Sequence, residues 1–536
     1  MKKILFALLM SVCGFAQAQT FPVQNLQVNG TSNFVGAATF QTGLALTNLA
    51  SQAANTIVAN SGASAGVPTA IAVPNCVGPS SALNWTSGGG FSCNSVVSSA
   101  ATIDVKNTYG GNVVNAVAAA NAAPAANLYF AGNTIYTVSG ASTLGPNVNV
   151  LCDPGAVIQT TSPTADIFDQ NGSNTVNNGC TYSTTVLRTG GDYIKLIGSQ
   201  THVTNFAMNN AYNGIEIAGT TAYIDHGFIN SSVSNSVLCS QAGDAHVSSI
   251  TSNNQFGFTG YISGTTLTVV TAAPYNNLAV GQVITGSTTS GGTAITALGT
   301  GGGGIGTYTV NNSQTVGSSG SPVALISSGS GTGVAVTGNL GGAGCALTLS
   351  DSGILKGGNS VAVTPSVSGA TGFLLVTNSY LDNASTNGAL FSTGSVGAIG
   401  FAKIIGSEIG TNGPSANGVT VSIPSGGSSG SIVISGNTIY NYTPSTGTGV
   451  LFTNSVAPLQ TEVSHNIIGS PSTLFNAGIS INYAGNSNVI ASGNFLQATT
   501  ISFFIGNTAD TSCIISNNRL VTSGHTSTGC NQNNNY

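Results

Sequence analysis

Apolar and polar positions in the C-terminal half of the chain repeat at a regular interval. Seven times, an apolar residue is followed by two small or polar residues, by Asn or Ser, by a variable residue and by another apolar residue. Most of these phrases follow a short run with alternating apolar residues, such as GVTV or GISI. Short period-two strands that repeat in this way indicate a solenoid, in which each coil buries its apolar face against its neighbours. The phrases begin 24 to 30 residues apart, at Leu349, Val376, Ile404, Ile434, Val463, Ala491 and Ile515.

The fourth position of the phrase is polar in all seven repeats. It is Ser in the first three and Asn in the last four, namely Ser352, Ser379, Ser407, Asn437, Asn466, Asn494 and Asn518. Identical amides on successive coils can hydrogen-bond to one another in a ladder at the strand spacing of ~4.8 Å. These patterns predict an all-β chain that folds as a right-handed parallel β-helix.

Three segments in the N-terminal half also align, at intervals of 21 to 23 residues. They predict two inward columns, one of Ile194, Ile215 and Val237, and one of Val203, Ile224 and Val247. The pattern stops at Gln255 and resumes with GTGVAVTG, so we expect 255–327 to be an all-β module inserted between two coils. The β-helix is therefore predicted over 161–254 and 328–525, after a start and cap over 101–160 and before a tail over 526–536.

The first residues have the form of an export signal. Lys2 and Lys3 precede an apolar run, and Ala16-Gln17-Ala18 offers a cleavage site, so we expect a signal-like leader over 1–18. Eight cysteines follow, an even number that favours disulfides in an exported chain, although buried free thiols remain an alternative. No CxxC is present, and we predict neither a metal site nor a cofactor. Proximity suggests the pairs Cys76–Cys93, Cys152–Cys180, Cys239–Cys345 and Cys513–Cys530.

The chain carries very little charge. Charged residues make up 4% of it, against about 25% in an average protein, and the net charge is −5. Without a basic patch we expect no nucleic-acid partner, and no segment is long and apolar enough to predict membrane insertion. A surface of hydroxyls and amides suits neutral sugars or a neighbouring subunit.

Candidate chemistry is concentrated on three coils. Because coils stack in register and alternate residues share a face, we predict one outward region that contains Lys195, His202, Glu216, Tyr223, Asp225, Asp244 and His246. Glycoside hydrolysis uses two carboxyl groups, ~5–5.5 Å apart for retention or ~6.5–9.5 Å apart for inversion. Asp225 with Asp244 or Glu216 could supply that pair, and the remaining four residues could bind the substrate.

The competing interpretation is structural. Lys195 and Glu216 would form a surface ion pair of little energetic value, and Asp225 and His226 would only turn a corner. Glu408, beside Tyr380 of the preceding coil, is a weaker candidate and is more simply explained as part of a solvated face.

Three segments resemble parts of bacteriophage structural proteins, two of them parts of tail proteins. LQVNGTSNFVGAATFQTGLAL, within residues 20–100, resembles phrases near the N-termini of phage tail fibres and tailspikes that form intertwined trimers. Residues 101–160 resemble the start of the pectate-lyase-like β-helix of tailspikes, with NTIYTVSG as the last element and the acidic turn reduced to NTYGG. The phrases ISGTTLTV, LAVGQVITG and GTYTVN resemble a small β-module of phage structural proteins.

This resemblance implies a homotrimeric receptor-binding protein of the virion tail. Residues 20–100 would attach it to other tail proteins, and the β-helix would recognise a host surface polysaccharide; the sequence leaves open whether it also depolymerises that polysaccharide. The leader favours two alternatives, a secreted pectate-lyase-like bacterial enzyme acting on carbohydrate and a secreted β-helical adhesin. The active-site phrases of pectate-degrading families are absent.

Overall fold

A computed structural model describes most of the chain after residue 100. The described residues are 56–59, 69–75, 81–86, 90–95 and 100–533, the last range with gaps at 273–277, 339–343, 444, 455, 457, 470–474, 484–487, 506–512, 522–524 and 528–530. The leader over 1–18 and most of the region over 20–100 therefore lie outside the described residues. The chain divides into two compact units, Met1–Val97 and Ser98–Tyr536.

The first unit contains two antiparallel strand pairs. Thr56–Ala59 pairs with Thr69–Ala72, and Ser81–Thr86 pairs with Gly90–Ser95. Cys93 lies in the last of these strands and is disulfide-bonded, whereas its expected partner Cys76 lies outside the described residues.

The second unit is a parallel β-helix whose coils contribute strands to three faces, here named A, B and C in chain order. Face A is a thirteen-stranded sheet, and faces B and C together form a 25-stranded sheet that bends between them. Strands of successive coils pair in parallel, as Ala398–Ile405 does with Ser428–Ser435. The parallel β-helix predicted from the repeats is thus confirmed.

Within each face, the strands of successive coils follow one another in chain order. Face A contains Ser142–Leu144, Phe168–Gln170, Asp192–Leu196, Asn213–Ile217, Asn235–Cys239, Thr332–Val336, Asn359–Val363, Asn387–Ser392, Asn417–Ser422, Thr448–Asn454, Phe475–Tyr483, Ala498–Ile505 and His525–Ser527. Face B contains Ala101–Asp104, Ala126–Phe130, Val148–Cys152, Val176–Asn178, Cys345–Ser350, Thr371–Thr377, Ala398–Ile405, Ser428–Ser435, Gln460–Ser464, Asn488–Ser492, Ile514–Ser516 and Asn531–Asn533. Face C contains Thr134–Val138, Ala156–Thr160, Thr181–Thr184, Gly353–Leu355, Tyr380–Ala384, Glu408–Thr411, Thr438–Asn441, Ile467–Ile468, Phe495–Leu496 and Arg519–Leu520. Three long strands continue from face B to face C, namely Thr201–Asn209, Thr221–Asn230 and Ala242–Asn253.

An α-helix, α1 (Val113–Ala122), lies between the first two strands of face B. The side chain of Asn112 caps it by accepting a hydrogen bond from the backbone N–H of Asn115 at 3.1 Å. Its buried side chains, among them Val113 and Ala116, join the main apolar core. The helix therefore provides the apolar cover that the first coils lack on one side.

The corner between faces B and C is made by one residue of left-handed backbone in each coil. In the C-terminal half this residue is the third position of the repeated phrase, with φ from 47° at Asn378 to 69° at Gly436. Gly, Asn and Asp tolerate this conformation better than other residues do. The repeated phrase thus contains the end of a face B strand, the bend at the corner and the start of the next face C strand. The positions with positive φ are Asp351, Asn378, Gly406, Gly436, His465, Gly493 and Asn517.

The next residue of each phrase forms the predicted ladder. Asn437 Nδ2 donates to Asn466 Oδ1 at 3.0 Å, and Asn466 Nδ2 donates to Asn494 Oδ1 at 3.0 Å. The backbone N–H groups of Asn437 and Asn466 donate to the same acceptors, each at 3.0 Å. The serines continue the series, since the N–H of Ser379 donates to Ser407 Oγ at 3.2 Å. These side chains are buried, and the ladder prediction is confirmed.

Residues 255–328 leave the coil after face C and form a separate five-stranded antiparallel sheet with its own apolar core. Its first and last residues, Gln255 and Ser328, are paired, and the N–H of Gly329 donates to Asn254 O at 2.6 Å. The module therefore leaves and rejoins the β-helix at one point. Its strands are Gln255–Ala272, Ile284–Thr285, Ile295–Leu298, Gly306–Val316 and Val323–Ser328.

Disulfides join Cys152 to Cys180 and Cys239 to Cys345, two of the four pairs that proximity suggests. The second of these connects the coils on either side of the inserted module. Cys513 is also disulfide-bonded, and its expected partner Cys530 lies outside the described residues. In the described part of the chain, no helix has the length and apolar character needed to cross a membrane.

Candidate functional site

The structure places three of the predicted substrate-binding residues in one column on face B. His202, Tyr223 and His246 occupy matching register positions in successive coils. The ring centroids of His202 and Tyr223 are 4.6 Å apart, and those of Tyr223 and His246 are 5.3 Å apart, with nearly parallel planes. Asp244 extends this aromatic column, because its Oδ1 lies 3.0 Å from His246 Nε2. The column is thus an outward array of stacked rings with an acidic end.

Asp225 and Asp244 do not lie at adjacent register positions. Asp225 pairs with Ser248 of the next coil, whereas Asp244 pairs with Thr221, four residues earlier on the strand. At ~3.3 Å per residue and ~4.8 Å between strands, their Cα atoms are roughly 14 Å apart. This Cα separation is about three times the spacing of neighbouring coils, so the pairing of Asp225 with Asp244 as acid and base stays a prediction.

The carboxylate of Asp225 instead contacts the residue that forms the corner between faces B and C. Its Oδ2 lies 2.8 Å from Nδ1 of the next residue, His226, whose φ of 51° turns the chain from face B to face C. This contact agrees with the structural interpretation of the two residues.

Glu216 lies on face A, away from Asp225, because the chain turns between Ile217 and Thr221. It contacts Lys195 Nζ at 2.8 Å and accepts a hydrogen bond from Ser240 Oγ at 2.5 Å. Only 8% of Glu216 is exposed. The predicted outward acid is therefore a buried partner of Lys195, and it is not brought together with the aromatic column.

A second carboxyl group, Asp192, adjoins Glu216. Burial and a hydrogen bond with Glu216 raise the pKa of Asp192 to about 8. Burial alone would raise the pKa of Glu216, but hydrogen bonds from Asp192, Lys195 and Ser240 together lower it. Asp192 thus holds a proton at neutral pH and donates it to an ionised Glu216. This buried pair, with 3% of Asp192 exposed, stabilises face A rather than facing a ligand.

Face C carries a cluster of which the sequence indicated only Glu408 and Tyr380, as a weaker candidate. It combines two carboxyl groups with three tyrosine hydroxyls, on Asp382, Glu408, Tyr380, Tyr440 and Tyr442. Tyr440 Oη donates to Glu408 Oε1 at 2.7 Å and also lies 3.2 Å from Asp382 Oδ1. Tyr442 Oη donates to Asp382 Oδ2 at 3.1 Å. We refer to these five residues as the tyrosine–carboxylate cluster.

The two carboxyl groups of this cluster are close to each other. Both contact the Tyr440 hydroxyl, so Asp382 Oδ1 and Glu408 Oε1 are at most about 6 Å apart, close to the separation used by retaining glycosidases. Gly410 provides the space, because a Cβ at this position would lie 2.0 Å from Asp382 Oδ1. Glu408 is exposed, as are 38% of Tyr380 and 44% of Tyr442. The cluster therefore has both a carboxyl pair and a solvent-facing aromatic surface.

Burial in the cluster raises the pKa values of two of its hydroxyl groups, those of Tyr440 and Tyr442. Burial, followed by hydrogen bonds with Tyr380, Tyr442 and Glu408, raises the pKa of Tyr440 far above its ordinary value. Burial and contact with the Tyr380 hydroxyl likewise raise the pKa of Tyr442. Tyr440 and Tyr442 thus keep the hydroxyl protons that they donate to Glu408 and Asp382. No group of three or more His, Cys, Asp or Glu side chains in the described ranges could hold a metal ion.

No protein-family model matches this chain, and none of the curated proteins matches it significantly. The solved structures that it resembles include tailspike proteins of E. coli bacteriophage HK620. The one in complex with a pentasaccharide is 10% identical, with a TM-score of 0.48 over 81% of this chain and 74% of that one. A double mutant is 8% identical, with a TM-score of 0.47 over 85% and 82% of the two chains. A likeness of this degree adds nothing to the β-helix already established by the strand pairings.

Proposed function

We propose that this chain is a phage tailspike or tail-fibre protein that recognises a host surface polysaccharide and hydrolyses it at the tyrosine–carboxylate cluster. The observation that supports hydrolysis is the pair of carboxyl groups, buried Asp382 and exposed Glu408, which both contact the Tyr440 hydroxyl and so lie within about 6 Å of each other. The phage assignment rests on the resemblance of two sequence segments to phage tail proteins and of the inserted module to phage structural proteins. The low charge of the surface suits a neutral, hydroxyl-rich substrate.

The hydrogen bonds of the two carboxyl groups suggest their roles. Asp382 accepts from Tyr442 at 3.1 Å and from Asn383 Nδ2 at 2.5 Å, and these donors stabilise a negative charge. We assign Asp382 as the nucleophile that attacks the anomeric carbon. Glu408 is exposed and accepts a hydrogen bond from Tyr440 Oη, and we assign it as the acid that protonates the leaving oxygen. Glu408 then takes a proton from the water that releases the sugar from Asp382.

The aromatic column on face B remains a predicted sugar-binding surface. Its hydroxyl and imidazole edges, together with the carboxylate of Asp244, could bind a polysaccharide without cleaving it. A secreted bacterial enzyme would use the tyrosine–carboxylate cluster in the same way, whereas an adhesin would need only the binding surface.

The experiment compares the two faces directly. Purified protein is incubated with capsule and lipopolysaccharide extracts, and new reducing ends and absorbance near 232 nm are followed. Hydrolysis produces reducing ends without that absorbance, whereas a lyase produces both. We expect Asp382→Asn and Glu408→Gln to lower turnover by about 10²–10⁴-fold.

Asp225→Asn is the matched control, because it makes the same chemical change on face B. Its turnover should stay near that of the wild type. Loss of activity in Asp225→Asn with full activity in Asp382→Asn would place the site on face B instead. Retained binding without turnover by the wild type would leave a receptor-binding protein that does not cleave.

A further inference from the structure

The inserted module contacts the β-helix at Thr443, next in sequence to Tyr442 of the tyrosine–carboxylate cluster. Its turn Ser290–Thr293 lies against Thr443, the residue that follows Tyr442. A methyl group at Gly291 would lie 3.1 Å from Thr443 Cγ2, and one at Gly292 would lie 3.8 Å from Thr443 Oγ1. The hydroxyl oxygen of Thr443 is buried. The module thus contacts the β-helix beside the cluster as well as at its own attachment point.

This contact is distant from the point where the module joins the β-helix. The module follows the coil that contains Ala242–Asn253, and Thr443 follows the face C strand Thr438–Asn441, four coils further along. At ~4.8 Å per coil the module spans about 19 Å of the axis. The chain therefore brings residues 290–293 next to Thr443, about 150 positions later in the sequence.

Side chains from a neighbouring strand hold the turn in place. Gln314 Oε1 accepts from the N–H of Ser290 at 2.7 Å, and Gln314 Nε2 donates to Thr293 Oγ1 at 2.7 Å. Asn311 Oδ1 accepts from the N–H of Ala294 at 2.8 Å, and Asn311 Nδ2 donates to Gly292 O at 3.0 Å. All four contacts come from the phrase GTYTVNNSQTV. The turn is therefore a braced element with a defined position.

Building on the proposed function, we infer that the turn Ser290–Thr293 is a wall of the glycan site that determines which polysaccharide fits beside Tyr442. The wall and its braces present hydroxyls, amides and backbone groups without a charged side chain. These groups suit a neutral sugar unit. A branch that projects from this unit toward the module would collide with the turn, so the wall selects an unbranched unit at this position.

The first test asks whether the contact exists in solution. The double variant Gly291→Cys/Thr443→Cys should form a cross-link, seen as a shift under non-reducing electrophoresis that reducing agent abolishes. The control is Gly302→Cys/Thr443→Cys, because Gly302 is on the same module and a Cβ there would meet nothing within 4 Å. A cross-link in the control alone, or in neither variant, overturns the inference.

The second test asks whether the wall affects specificity. Gly291→Gln should push the turn away from Thr443, raise KM for the preferred polysaccharide by about tenfold and change the sizes of the released oligosaccharides, with kcat within about threefold of the wild type. Gly302→Gln should change neither value. Unchanged KM and products in Gly291→Gln overturn the wall while leaving the proposed function intact. A wild-type protein that neither binds nor cleaves any glycan overturns both.

Discussion

Replacing Asn466 by Ala should strongly destabilise the β-helix, although the change removes only one small amide. Asn466 Oδ1 accepts from both the backbone N–H and the Nδ2 of Asn437, and its Nδ2 donates to Asn494 and to Ile434 O at 2.8 Å. Alanine leaves two buried donors of Asn437 without their acceptor. At about 1–3 kcal/mol for each such donor, the free energy of unfolding should fall by about 2–6 kcal/mol.

The assay is guanidinium unfolding followed by circular dichroism, with refolding checked at each concentration. Where refolding fails, unfolding rates replace the equilibrium values. Asn482→Ala is the matched control, because Asn482 is an exposed asparagine on a face A strand. Its effect should stay within about 0.5 kcal/mol. Equal stability of the Asn466 and Asn482 variants would refute the reasoning that the ladder contributes to stability.

The Asn466→Asp variant distinguishes the contribution of the Asn466 side-chain acceptor, Oδ1, from that of its donor, Nδ2. It keeps an oxygen for Asn437 but turns a second oxygen toward Asn494 Oδ1 and Ile434 O, so an ionised carboxylate there is buried and repelled. Its stability should therefore recover in part as the pH is lowered and the carboxyl group becomes protonated. A variant whose loss of stability does not depend on pH would contradict this account.

Three further predictions concern other parts of the chain. The raised pKa of Asp192 means that the folded state keeps a proton that the unfolded state releases, so this contribution to stability is lost as the pH rises from about 4 to about 8. The melting temperature of Asp192→Asn should therefore depend less on pH over this window than that of the wild type. An unchanged pH dependence would contradict the proton-sharing pair. Deleting 255–327 and joining Asn254 to Ser328 should leave a folded β-helix by circular dichroism, because Gly329 already hydrogen-bonds to Asn254; a product that only aggregates would show that the module is needed for the coils. The full chain should be a homotrimer by light scattering after chromatography at micromolar concentration, as its resemblance to tail fibres implies, and a monomer would exclude this.

Features that repeat with the coil could be predicted from sequence. The period fixes the register, and the register places identical positions above one another, so the Asn ladder and the column of His202, Tyr223 and His246 could both be inferred without coordinates. The disulfide between Cys239 and Cys345 follows from the same logic, because the inserted module lies between two adjacent coils.

Features that depend on where a coil turns could not be predicted. The alternation of inward and outward positions continues across a turn, so Glu216 looked like a neighbour of Asp225 although it lies on another face. Most of the tyrosine–carboxylate cluster was missed because Asp382 and Tyr440 belong to coils two steps apart, and because the pairing register shifts between Leu381 and Ala384. The contact of Gly291 with Thr443 follows no period at all.

The shared attachment point of the inserted module has a consequence for how such a chain can change. Asn254 and Gly329 are hydrogen-bonded to each other, so a segment of different length or origin can occupy the interval between them while every coil keeps its partners. Genetic recombination at these two positions would exchange the whole inserted module in one step. The coils of the β-helix would then stay constant while the inserted segment diverged, and under the proposed function this divergence would change which polysaccharide the protein recognises.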